Sequence, residues 1–162
     1  MKVIPAKAGA APCLLSPHLE TVYLYSTIHL PFIREEFTMP VRIIVCGGRH
    51  YAHGVHAWAV LAHIHRLRGI AEVIQGECPT GADKHAREWA VAHGIPLKRY
   101  RAEWEKYGRA AGPRRNREML QERPHGVVAF PGGTGTADMI AAAQEAGVPV
   151  YYAPAPGAVP YP

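Results

Sequence analysis

Between residues 41 and 152 short continuous apolar runs alternate with longer amphipathic stretches, and glycine or proline closes most of them. Val41-Arg42-Ile43-Ile44-Val45-Cys46 is a β-branched run ending in Gly47-Gly48-Arg49, the pattern of a strand buried on both faces and followed by a tight turn. A helix is predicted from about Val55 to Arg68, with Trp58, Leu61, Ala62, Ile64 and Leu67 on its inner side and Gly69 at its end. Ala71 to Gln75 reads as a second strand, broken by Gly76-Glu77-Cys78-Pro79-Thr80-Gly81, and Ala82-Asp83 opens a helix that runs to Gly94. Ile95 to Tyr100 is a third strand, with Pro96 tolerable only at its start. Pro113 suits the first turn of a helix carrying Arg114, Arg115, Asn116 and Arg117. Gly126 to Phe130 is a fourth buried strand, Ala137 to Ala146 an alanine-rich helix, and Val148 to Tyr152 a last strand.

This alternation of strand and helix implies an α/β fold: a doubly wound, mainly parallel, five-stranded sheet with helices on both faces. The expected strand order is 3-2-1-4-5. In that order the strands ending at Cys46 and Phe130 are neighbours, and their following loops meet where the winding reverses, the usual place for a ligand. The loop from Thr80 to Asp83 flanks them.

Residues 1–40 differ in kind: they carry Pro5, Pro12, Pro17, Pro31 and Pro40 and no sustained helical period. They read as a partly irregular extension in which Thr21 to Ile28 could pair as an edge strand, and Met39 as the natural start. The folded domain is expected over 41–154, with a proline-rich tail over 155–162. Lys2 and Lys7 ahead of Ala8 to Leu15 are a poor secretory signal, because Pro12 interrupts a short apolar run. No apolar run reaches the ~20 residues that span a bilayer, so no membrane partner is expected. Three cysteines without metal-type spacing point to a reducing compartment, by default the cytoplasm. The formal charge of +5 favours anionic partners without choosing among them.

The candidate chemistry centres on Pro131-Gly132-Gly133-Thr134-Gly135-Thr136. Missing side chains let backbone N–H groups approach an anion, and the next helix points its positive dipole end at the same place. A tight turn alone would explain a glycine pair, but not glycines interleaved with two hydroxyls at the end of a buried strand. Arg49 and Arg115 would neutralise the bound phosphate, and Asp83 or Glu77 would hydrogen-bond a ribose hydroxyl. Thr80 and Asp83 also form a capping-box-like pair. Arginines in a helix's first turn oppose its dipole, which argues for an anion or acidic surface beside them. The competing assignment is a single-strand nucleic-acid-binding module, with Arg109, Arg114, Arg115 and Arg117 on phosphates and Trp104 or Tyr107 under a base. His50, His53, His56, His63 and His65 lack a carboxylate or cysteine that would complete a ligand spacing, so neither a metal nor a cofactor is expected.

Val45 to Arg49, Gly81-Ala82-Asp83, Trp89-Ala90, Tyr107 to Pro113, Arg115-Asn116 and Ala129 to Thr136 together resemble the YspA/YpsA-related branch of the SLOG superfamily. The resemblance covers about Val41 to Ala153. It implies a Rossmann-like fold and a nucleotide or nucleotide-derived ligand, with Gly47, Gly48, Gly81, Asn116 and Pro131 joining the site. The wider superfamily includes the Lonely Guy phosphoribohydrolases and DNA processing protein A. This chain departs from the branch at His50, usually aspartate, and at Gly76 to Thr80, usually a glycine-rich loop with arginine. The phosphoribohydrolases place a catalytic glutamate at the ninth position of the glycine motif, which here is Met139. Asp138 and Glu77 are the remaining carboxylates that could take its part. A homo-oligomer, the ligand's identity and any reaction are left open by the sequence.

Overall fold

A computed structural model describes residues 39–157. The strand expected over Thr21 to Ile28 and the last residues of the tail lie outside them. Within them the order is β1 (Val41–Cys46), α1 (Gly54–Arg68), β2 (Ile70–Gln75), α2 (Gly81–Ala92), β3 (Leu97–Arg99), α3 (Trp104–Tyr107), α4 (Ala111–Gln121), β4 (Gly126–Ala129), α5 (Thr134–Glu145) and β5 (Val150–Tyr152). A 3-10 turn, Gly108–Ala110, joins α3 to α4. The strands form one all-parallel sheet in the order β3-β2-β1-β4-β5. That is the doubly wound, Rossmann-like arrangement expected from the alternating runs.

The continuous apolar character of β1 has a direct structural cause. Successive side chains of a strand point to opposite faces. Val41, Ile43 and Val45 pack with Ala57, Val60 and Leu61 of α1 and Ala86, Trp89 and Ala90 of α2. Ile44 and Cys46 instead meet Met119 of α4 and Met139 and Ala143 of α5. Each face needs its own apolar set, so no polar alternation survives in the central strands.

Three features differ most from the sequence-based reading. The inner stripe of α1 is Ala57, Val60 and Leu61, with Ile64 packed against it, while Trp58, Ala62 and Leu67 face outward. Spacing by three and four residues fixed the stripe, and the larger side chains one step away lie about 100° round the helix. β3 begins only at Leu97, although the Val73 N–H still donates to the Pro96 carbonyl. Most consequential, α5 starts at Thr134 rather than Ala137, so the second half of the glycine loop is itself the helix's first turn. Glycine is tolerated there because first-turn N–H groups have no intrahelical acceptor to lose.

Candidate ligand-binding site

The carboxyl ends of the central strands are stitched together by backbone hydrogen bonds. Phe130 N–H donates to the Cys46 carbonyl at 2.9 Å, and Gly48 N–H to the Pro131 carbonyl at 3.0 Å. The Gly48 carbonyl accepts from Tyr51 and Ala82, so the loops after β1, β2 and β4 are fastened at one residue. Gly81 makes this approach feasible. Its φ is +69°, and a Cβ there would stand 2.0 Å from the Gly48 oxygen. Gly47 likewise leaves room for Ala82, and Gly132 for the Thr136 hydroxyl.

Gly133 and Gly135 are different. Nothing lies within 4 Å of where a Cβ would stand at either residue, and neither has a positive φ. Gly135 sits inside a helix, where alanine is favoured by about 1 kcal/mol. Packing and backbone conformation therefore give no reason for these two glycines. Gly133 is the N-cap of α5, and no side chain caps that helix end. The Thr136 N–H donates to the Gly133 carbonyl at 3.0 Å, whereas those of Thr134 and Gly135 have no partner among the described residues.

These loops border a cleft of about 1300 Å³, lined among others by Gly47, Gly48, Arg49, Glu77, Asp83, Arg115, Asn116 and Pro131 to Thr136. Of the residues expected in the site, only Gly81 and Asp138 are not on its wall. Arg49 is exposed at the rim and has no carboxylate partner among the described residues. Asp138 accepts a hydrogen bond from Asn116 Nδ2 at 2.7 Å and pairs with Arg117 at 3.6 Å. Met139 is wholly buried in the α4/α5 core, beneath the cleft.

Several expected ligand contacts are already engaged with the protein. Asp83 Oδ2 accepts the Cys78 N–H at 3.0 Å, and Thr80 makes no side-chain cap, so the anticipated capping box does not form. The N–H that Asp83 satisfies belongs to the loop, not to the helix it opens. Burial pushes the Asp83 carboxyl upward, opposed by the Cys78 N–H and the Arg115 guanidinium. Arg115 Nη1 donates to the Gly76 carbonyl at 2.5 Å, and its Nε to Asn116 Oδ1 at 3.2 Å. A Cβ on Gly76 would stand 1.9 Å from that Nη1, so the glycine is what admits the guanidinium.

Gln75 completes this clamp and was missed by the sequence-based reading. It is fully buried at the end of β2, and its Oε1 accepts the N–H of Glu77, which adopts a left-handed φ of 58°. A polar amide closing the apolar pair Val73-Ile74 was the available signal. Glu77 itself pairs with Arg99 at 3.6 Å. Cys46 also reaches the cleft wall, its thiol pushed up to about 12 by burial.

The histidines around α1 serve local structure. His56 Nδ1 meets the Tyr51 hydroxyl at 2.6 Å, His85 Nε2 the Tyr51 carbonyl at 3.2 Å, and His65 Nδ1 accepts the Ile70 N–H at 2.9 Å. Burial, and then His53, lower the pKa of His56.

Comparison with known proteins supplies an independent line. The profile of the family described as YspA, cpYpsA-related SLOG matches residues 41–107, from β1 through α3. The Gene 61 protein of Mycobacterium phage D29 is 33% identical over 117 residues, spanning 67% of this chain and 93% of that protein.

Proposed function

Because the chain belongs to the YspA, cpYpsA-related SLOG family, we propose that it binds a nucleotide or nucleotide-derived phosphorylated ligand in the cleft where its winding reverses. The observation that carries this reading is the uncapped N-terminus of α5 with Gly133 and Gly135 open in front of it. Backbone N–H groups and the helix dipole there suit a phosphate. Arg49 supplies positive charge at the rim, and the hydroxyls of Thr134 and Thr136 supply further donors. Asp83, Asn116 and Arg115 act chiefly by holding the loops that shape the cleft, since each already bonds to the protein. Glu77, also on the cleft wall, is the carboxylate left to hydrogen-bond a ribose hydroxyl.

The nucleic-acid alternative is weaker because three of its four arginines, all but Arg109, have other partners. Arg114 lies over the Tyr107 ring at 4.1 Å, Arg117 donates to the Pro113 carbonyl at 3.0 Å, and Arg115 holds Gly76. A thermal-shift screen of the purified protein against nucleoside mono-, di- and triphosphates and ADP-ribose derivatives tests the proposal. A ligand at 100 times its dissociation constant adds about 2.7 kcal/mol, a shift of several degrees. A flat screen refutes it.

A further inference from the structure

The cradle accounts for a phosphate and leaves most of the cleft unassigned. At about 1300 Å³ it exceeds the roughly 300–1,000 Å³ of ordinary small-ligand pockets. The cleft wall also carries Trp104, the first residue of α3. An indole is among the largest apolar surfaces a side chain offers, and exposing it is unfavourable. Trp89 is fully buried, whereas Trp104 remains 50% exposed.

Trp104 is nevertheless held in place. Its six-membered ring lies against the start of α4, where a Cβ on Gly112 would stand 3.3 Å from Cη2. The Arg49 guanidinium is 5.9 Å from the ring centroid. Ala102, buried two residues earlier, anchors the segment, and its carbonyl accepts the Trp104 N–H at 3.0 Å. The other aromatic of α3, Tyr107, is not on the cleft wall and carries two cations over its ring, Lys106 at 4.8 Å and Arg114 at 4.1 Å.

We propose that Trp104 is the platform on which the ligand's base stacks, making it the residue that selects nucleotides over simpler sugar phosphates. The inference rests on the reading of Gly133 to Thr136 as the phosphate cradle. A half-exposed indole on the cleft wall, packed against α4 and with a guanidinium over its ring, is the kind of surface that base stacking uses. Stacking is tolerant of base identity, so preference for a planar ring is expected to exceed preference among bases.

The test is calorimetric titration of the full chain and of Trp104→Ala and Trp104→Phe with AMP, GMP, CMP, UMP, ribose 5-phosphate and adenosine. The wild type is expected to bind the monophosphates at least tenfold tighter than ribose 5-phosphate. Trp104→Ala lowers monophosphate affinity about tenfold to hundredfold, leaves ribose 5-phosphate unchanged, and melts with the wild type. Trp104→Phe retains most of the affinity. Equal wild-type affinity for ribose 5-phosphate and the monophosphates, or unchanged monophosphate binding in Trp104→Ala, overturns the stacking role while the cradle stands. Adenosine binding as tightly as AMP, or no binding of any probe, removes the cradle and the stacking proposal together.

Discussion

At the residue scale, glycines of one motif do two different jobs, and substitution separates them. A Cβ on Gly132 would stand 2.1 Å from Thr136 Oγ1 and 2.7 Å from the Gly48 nitrogen. Gly132→Ala is therefore expected to force the loops apart and cost about 1–3 kcal/mol in stability. At Gly133 the space is open, so Gly133→Asp should melt within a few degrees of the wild type yet lose ligand binding, because a carboxylate meets the incoming anion. Parallel melting and titration check the pair; a collapsed melting temperature for Gly133→Asp would make that glycine structural. Cys46 gives a pH prediction. Its thiol is held at about 12 against an ordinary 9.0, so the folded state keeps a proton that the unfolded chain releases. Stability should fall as pH rises from about 9 toward 12. In the folded protein at pH 8, iodoacetamide should modify the partly exposed Cys78 and spare Cys46, as peptide mass mapping would reveal. Met139 bears on catalysis. Burial of this thioether beneath the cleft leaves the motif's ninth position without an acid or base. Incubation with nucleoside monophosphates should release no free base above background; turnover abolished by Glu77→Gln would instead assign the acid to the loop after β2.

At the scale of elements, Asn116 ties α4 to the first turn of α5. Its Nδ2 donates to the Gly135 carbonyl at 3.2 Å and to Asp138, and its Oδ1 accepts from Arg115. The side chain is 2% exposed, so Asn116→Ala removes buried hydrogen bonds that water cannot readily replace. A loss of about 1–3 kcal/mol is expected in urea denaturation, with weaker ligand binding because the turn carrying Thr134 to Thr136 is released. Unchanged stability would show that the tie contributes nothing. The strands and their order were legible because buried parallel strands must be apolar on both faces, as β1 and β4 are. The phase of α1 was not, since Trp58 and Leu67 drew attention by size although Ala57 and Val60 set the stripe. Trp104–Tyr107 and the 3-10 turn after it were illegible for another reason: a segment of a single turn is too short to display a period. The clamp of Gln75, Asp83 and Arg115 on the loop after β2 depends on where backbone groups lie after folding, which spacing does not encode. The sequence identified Asp83 and Arg115 by residue type, but not the Cys78 and Gly76 groups they hold.

At the scale of the whole molecule, a net charge of +5 says little until the charges are placed. The arginines of α4 turn toward protein partners: Arg114 to Tyr107, Arg115 to Gly76, and Arg117 to Pro113 and Asp138. Arg49 and Arg101 remain on the cleft wall, Arg49 over the indole of Trp104. Among the described residues, therefore, the arginines of α4 form no continuous track of unpartnered cations, as a nucleic-acid strand would need. The consequence is a shallow dependence on salt. Releasing counterions from two phosphate contacts weakens binding by roughly sevenfold between 50 and 200 mM salt, whereas six contacts on a single strand weaken it by roughly 300-fold. Titration of a nucleoside monophosphate across that range is expected to give the smaller change, and a twelve-nucleotide single strand should bind no tighter than the monophosphate at either salt concentration. A steep slope together with tighter binding of the oligonucleotide would move the functional surface out of the cleft and onto the exposed side of α3 and α4, where Arg109 would then be the first residue to substitute.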